Sequence, residues 1–293
     1  MTPGTEASYR ERILRVRLHI EAHLDEPISL EELAAVACFS PYHFHRIFRA
    51  LVGESVMEHV RRLRLERAAQ RLKSAAGARV IDVALDAGYE THEAFTRAFH
   101  AMFGVAPSRF RRTRRRPAPR RPPPPGPGLA APLPVRFERL PAIRAAFMRH
   151  VGPYSGVGPT FDRLLVWAGG RGLLADPETL VFGLSLDDPD VTAPERLRYD
   201  ACVAVPASVA AKGELGIHDI SVCEYAAVTF RGPYEELDAV YRWLCGAWPP
   251  RSGREVAAAP CLELYRNDPK TTPPAELVTD VFLPLEPASL VRA

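Results

Sequence analysis

Glu263 interrupts an apolar run, Pro260-Cys261-Leu262-Glu263-Leu264-Tyr265, and its placement calls for a chemical reason. Strand alternation puts Leu262 and Leu264 on one face, and Cys261, Glu263 and Tyr265 on the other. A carboxylate on a buried strand face is costly to desolvate unless a partner neutralises it. Two partners fit: an arginine of the chain itself, or a cationic ligand held between aromatic rings that add cation–π attraction. Tyr154, Tyr234, Tyr265, Phe147 and Trp167 are the candidate walls, although plain core packing explains Phe147 and Trp167 equally well.

Other chemistry-bearing residues form no catalytic or metal pattern. His19 and His23 stand at i, i+4 without a third ligand nearby, and His43 and His45 fall on different helix faces. The five cysteines are odd in number and lack a C-x-x-C pair, so reduced thiols are expected and neither disulfides, metal nor cofactor. The C-terminal half holds only His150 and His218, neither in a nucleophile–histidine–acid motif, so no catalytic residues are assigned.

The elements that position these residues divide at a proline-rich stretch. Residues 117–134, PAPRRPPPPGPGLAAPLP, fit neither helix nor sheet interior and read as an extended spacer. It separates an expected domain at 8–116 from another at 135–287. Ahead of it the apolar spacing is helical throughout. Ser29–Glu32 and Ser55–Glu58 are capping boxes that open two helices, the second running to about Lys73. Behind it, β-rich runs such as AAFMRHV, AVTFRG and PCLELYR alternate with helices. The first 121 residues carry 22 Lys+Arg against 14 Asp+Glu, and the remainder 16 against 21, so the basic half suits a polyanion. No apolar run reaches ~18 residues, and no apolar stretch follows the charged start. A cytoplasmic protein without a membrane partner is expected.

Both halves are duplicated. At an offset of 50, Ala34, Ala37 and Phe39 match Ala84, Ala87 and Tyr89; at 51, Phe44, Arg46, Phe48 and Gly53 match Phe95, Arg97, Phe99 and Gly104. Each unit reads as helix, tight turn, helix, with aromatics at i and i+4 on the packed face. In the C-terminal half the offset is 80. Gly152-Pro153-Tyr154 matches Gly232-Pro233-Tyr234, Asp188-Pro189 matches Asp268-Pro269, and Gly183 stands where the second copy has Glu263. The fold class is therefore two-domain, an all-α double helix-turn-helix followed by an α+β domain of duplicated β-α-β-β units, with a groove where the copies join.

Residues 10–112, with both turns, both aromatic pairs and the GVAPSRFRR ending, resemble the AraC-type transcription regulators. That family carries two helix-turn-helix units on a connecting helix, and usually has glycine where this chain has Cys38. The resemblance places base-reading positions on Tyr42, His45 and Arg46. The amphipathic pattern also turns His43 and Arg49 outward in the first unit, and His92, Glu93, Thr96 and Arg97 in the second. Glu93 suits either acceptance from a cytosine amine or repulsion of phosphate. A connecting helix of about 18 residues spans ~27 Å, which approaches the ~34 Å between successive major-groove faces. Arg61, Arg62, Arg64 and Arg67 on that helix, and Arg109 to Arg116 including Arg112, suit phosphate anchoring.

Residues 134–287, through the repeated GPY and the LELYRNDP segment, resemble the GyrI-like effector-binding domains, which recognise varied and frequently cationic aromatic molecules. The resemblance puts Glu263 where the family keeps a ligand-contacting carboxylate. Together the two imply a DNA-binding transcription regulator with double-stranded DNA, a small hydrophobic or cationic effector and RNA polymerase as partners, and no enzyme. The alternative is a small-molecule hydrolase with Glu263 as general base.

Overall fold

The computed structural model describes residues 3–74, 79–112 and 132–287, so most of the proline-rich spacer, together with Arg114–Arg116, lies outside the described residues. The chain forms two compact units. One gathers residues 10–38 and 48–112; the other gathers 3–9, 39–47 and 132–287, so that the cuts fall within the first and third helices.

The helices run α1 (Pro3–Ala22), α2 (Leu30–Val36), α3 (Pro41–Val52), α4 (Val56–Ser74), α5 (Val80–Asp86), α6 (His92–Phe103) and α7 (Pro107–Arg112). Side-chain caps open α2, α4 and α6. Ser29 Oγ accepts from the Glu32 amide at 3.1 Å. At α4 the box is reciprocal, Ser55 N donating to Glu58 Oε2 at 2.8 Å and Glu58 N to Ser55 Oγ at 3.2 Å. Thr91 caps α6 through the Ala94 amide. The second helix-turn-helix closes over one core, in which Leu65 and Leu72 of α4, Val83 and Ala84 of α5, and Phe95, Phe99 and Phe103 of α6 meet Phe110 of α7.

The turn between α2 and α3 places Cys38 at φ +53°, and the matching turn places Gly88 at φ +80°. The chain thus keeps the left-handed turn with a side chain in it, a conformation that costs a β-carbon-bearing residue about 1 kcal/mol.

The second unit carries an eight-stranded antiparallel sheet built from β1 (Arg136–Leu140), β2 (Ile143–Val151), β3 (Val181–Ser185), β4 (Arg198–Ala204), β5 (Leu215–Ile220), β6 (Cys223–Arg231), β7 (Cys261–Tyr265) and β8 (Val278–Leu285). Helix α8 (Gly158–Gly169) follows β2. Helix α9 (Leu237–Tyr241) follows β6, widens into a π turn over Arg242–Ala247 and ends in α10 (Pro249–Ser252). Each copy is β-β-α-β-β, one strand more than the expected β-α-β-β. The extra strands, β1 and β5, are half-exposed edge strands whose polar residues hide the apolar alternation that reveals the others.

Strand order is β1-β6-β8-β7-β3-β4-β2-β5. The order reads the same from either end under exchange of the copies, which makes the β3–β7 seam the pseudo-two-fold axis. Ala146, Ala201 and Val203 pack with Leu164 and Ala168 of α8, while Ala226, Val228, Cys261 and Val281 pack with Val240, Leu244 and Cys245. Phe182, Leu184, Leu262, Leu264 and Phe282 form a separate core on the opposite face.

Candidate ligand site and DNA-reading helices

At the β3–β7 seam Gly183 and Glu263 are direct register partners. Glu263 is 5% exposed. Its Oε1 accepts from Tyr241 Oη at 2.6 Å, and its Oε2 from Tyr199 Oη at 2.7 Å and Tyr265 Oη at 2.6 Å. Tyr199 reaches the carboxylate only because residue 183 has no side chain: a β-carbon there would sit 1.7 Å from the Tyr199 hydroxyl oxygen. Burial, reinforced by the Glu263 charge, pushes all three phenols well above their ordinary range, so they stay protonated and donate. Among the described residues Glu263 forms no ion pair.

The expected walls Tyr154 and Tyr234 flank this cluster symmetrically. Tyr154 packs edge-on against Tyr199 with ring centroids 5.5 Å apart, and Tyr234 against Tyr265 at 5.4 Å. Burial and the neighbouring carboxylate push Tyr234 up to about 12. The GPY motif is also a turn device, since the Gly152 and Gly232 amides donate to the Leu197 and Leu277 carbonyls. Phe161 of α8 closes the side, edge-on to Tyr265 at 5.4 Å.

Phe147 and Trp167 are not brought into this group. Phe147 packs with the core on the opposite face and stacks on His218 at 4.0 Å, while Trp167 lies on α8 beneath the Arg171 guanidinium. Alternation explains the first displacement: Ala146 and Met148 face α8, so Phe147 points away from it. Tyr199, Tyr241 and Phe161 were absent from the expected set. The signal for them existed at the offset of 80, where Tyr199 pairs with Thr279 and Tyr241 with Phe161, divergences of the same kind as Gly183 and Glu263.

Of the DNA-reading candidates, His92, Arg97 and Arg112 are exposed and Thr96 is half-buried, its Oγ1 lacking a hydrogen-bond partner among the described residues. On α4, Arg61 is exposed. Arg62 is held by Glu54 at 2.8 Å and Glu66 at 3.1 Å, and Arg64 donates to the Leu24 and Glu26 carbonyls. Arg67 pairs with Asp25. Three of the four expected phosphate anchors thus brace the helices of their own unit.

Helix α3 departs further from the outward expectation. Tyr42 and Arg49 are half-buried, but His43 and His45 are 1% and 2% exposed. His45 Nδ1 lies 3.0 Å from Asp188 Oδ2, and Arg46 Nε lies 3.5 Å from the same oxygen. The Arg46 guanidinium carbon also sits 4.8 Å from the centroid of the Tyr241 ring. Burial opposes the charge of Asp188, yet Arg46 and His45 together hold its carboxyl well below the usual range. One ring, Tyr241, therefore carries Arg46 on its face and Glu263 at its hydroxyl.

Comparison with known proteins follows the same division. Residues 133–286 match the family of GyrI-like small molecule binding domains, and residues 33–113 match a helix-turn-helix domain family. The HTH-type transcriptional regulator YbfP of Bacillus subtilis (strain 168) is 42% identical over 103 residues, 35% of each chain. The right origin-binding protein of Escherichia coli (strain K12) is 35% identical over 94 residues, 32% of each chain. The match thus spans about a third of the length of these relatives. YgiV of Escherichia coli (strain K12), a transcriptional regulator by name, is 26% identical over 155 residues, 52% of this chain and 96% of that one. The chain belongs to the GyrI-like small-molecule-binding family, and it carries ahead of that domain a double helix-turn-helix of the AraC type.

Proposed function

We propose that the chain is a sequence-specific, DNA-binding transcription regulator whose GyrI-like domain, residues 135–287, binds a hydrophobic cation. The observation that carries the effector assignment is the Glu263 carboxylate, buried, held by three phenol hydroxyls and without a basic partner among the described residues. A ligand cation would supply the missing charge, and the rings of Tyr154, Tyr199, Tyr234 and Tyr265 would supply flat apolar walls.

DNA reading is assigned to Tyr42, His45, Arg46 and Arg49 of α3 and to His92, Thr96 and Arg97 of α6, with Arg112 on a phosphate. The arrangement described above is a silent state, because Asp188 occupies His45 and Arg46. A cation that takes up Glu263 draws on the hydroxyl of Tyr241 and disturbs the ring on which Arg46 rests. Effector occupancy is thereby linked to the release of a base-reading arginine. Such a regulator works in the cytoplasm beside RNA polymerase; among the described residues no helix is long and apolar enough to cross a membrane.

The experiment is a fluorescence titration of the full chain with tetraphenylphosphonium, followed by DNA-retention assays on sites selected from random duplexes. Saturable binding that raises DNA affinity supports the reading. Failure to retain any duplex, with or without the cation in dilute buffer, removes the regulator assignment. Chemical change of a bound small molecule that is lost in Glu263→Gln would favour a hydrolase instead.

A further inference from the structure

Two of the five cysteines and one of the nine histidines meet in a place that no sequence motif marks. Cys245 lies in the π turn that follows α9, and Cys261 opens β7. Their sulfurs are 3.3 Å apart, and both residues are buried. His43 of α3 is 1% exposed, and one of its ring nitrogens lies within 4.8 Å of both sulfurs.

The histidine is set up as a ligand. Its Nε2 meets the Ala259 carbonyl at 2.9 Å, which places the ring proton on Nε2 and leaves the lone pair on Nδ1. That Nδ1 is buried without a hydrogen-bond partner among the described residues. A carbonyl that orients a ligating imidazole is the usual outer shell of a metal centre. The local widening of the helix at Arg242–Ala247 is a π turn, a feature frequent at functional sites.

We propose that His43, Cys245 and Cys261 form a three-coordinate site for a soft, thiophilic cation of the Cu(I) class. Two thiolates and an imidazole are a soft donor set. Among the described residues no carboxylate, histidine or further cysteine joins them to give the four ligands of a closed zinc site. Both cysteines bind as thiolates, so uptake of one Cu(I) forms two Cu–S bonds and one Cu–N bond and releases to solvent every proton the two thiols carried, with no change of oxidation state. Because His43 shares α3 with His45 and Arg46, a bound ion would also hold those side chains against Asp188. That last consequence rests on the DNA-reading assignment; the metal site does not.

The test is an anaerobic titration of the reduced full chain with Cu(I) against bathocuproine disulfonate. One ion withdrawn per chain, with two sulfurs and one nitrogen in its X-ray absorption spectrum, is the expected result. Cys245→Ser and Cys261→Ser should each lose affinity by about 100-fold or more, beyond what loss of an outer-shell partner costs. Circular dichroism checks that they fold; if they do not, the spectrum of the unaltered chain still decides. No withdrawal of Cu(I), a copper shell without sulfur, or preferential uptake of Zn(II) with four ligands each overturns the proposal. Unchanged DNA retention by the copper-loaded chain would refute only the clamping of α3.

Discussion

Gly183 and Glu263 face each other across the two central strands, at the same position of the two repeats. The pair is the point at which the pseudo-symmetry breaks. Removal of a side chain on one strand opens the path by which Tyr199 reaches the carboxylate on the other. Gly183→Ala should therefore displace Tyr199, cost about 1–3 kcal/mol of stability through overpacking, and weaken cation binding. Thermal melting and the tetraphenylphosphonium titration read both effects. An unaltered affinity would mean that Tyr199 takes no part in the site.

Glu263→Gln keeps the size of the side chain and removes its charge. Affinity for a hydrophobic cation should fall about 10- to 100-fold, the range of a lost charged hydrogen bond, while a neutral aromatic of similar shape should lose little. Equal losses for the two probes would assign Glu263 to packing alone.

The two helix-turn-helix copies should respond differently to mutation. Arg97→Ala on the exposed face of α6 should relax preference at one base position and cost about 1–3 kcal/mol at the preferred site. Arg112→Ala should weaken all sequences alike and flatten the salt dependence by about one charge. Asp188→Asn should free His45 and Arg46 and raise DNA affinity without effector. A gel-shift series at two salt concentrations separates these outcomes.

Acid should destabilise the helical unit. His59 is 1% exposed, its Nδ1 lies 2.7 Å from Glu54 Oε1, and its buried Nε2 has no partner among the described residues, so a second proton there would be stranded. Burial lowers its pKa from the ordinary 6.5, against the pull of Glu54. The unfolded chain therefore binds the proton first, and stability present above pH 6.5 declines as pH falls below it. Glu54 adds to the loss at lower pH. Burial would raise its pKa, but Arg62 and His59 hold it below the ordinary 4.5, so its contribution disappears as pH falls through that depressed value. Urea unfolding between pH 7.5 and 4 should show the midpoint falling with pH, and a flat profile would contradict the neutral state of His59.

Cys38→Gly should stabilise the first turn by about 0.5–1 kcal/mol, since glycine adopts φ +53° without the steric penalty and gives back part of the gain as unfolded-state entropy. Comparison of urea midpoints at pH 7.5 measures it.

How much of this was legible in the sequence depends on whether local or long-range chemistry decides. The capping boxes at Ser29 and Ser55 act within four residues; the second forms in full, while the first forms its Ser29 half and Glu32 turns to His19 instead. Strand alternation around Glu263 is equally local, and its face assignment holds. Tyr199 and Tyr241 are 64 and 22 residues from Glu263, and only the repeat comparison links them to it. An amphipathic pattern shows which face of α3 is polar but not what covers it, so the burial of His43, His45 and Arg46 was invisible. The same limit applies to Cys245 and Cys261, whose meeting depends on the register of β7 and a helix that widens beside it.

Strand β1 of the first repeat pairs with β6 of the second, and β5 of the second pairs with β2 of the first. Each copy thus lends its leading strand to its sibling. A backbone break between Val205 and Gly213 would leave two fragments that are each missing an edge and each hold the other's, so they should assemble when produced together and aggregate when produced apart. Either copy can therefore differ from the other in its side chains, as Gly183 and Glu263 do, while neither closes its edge of the sheet alone.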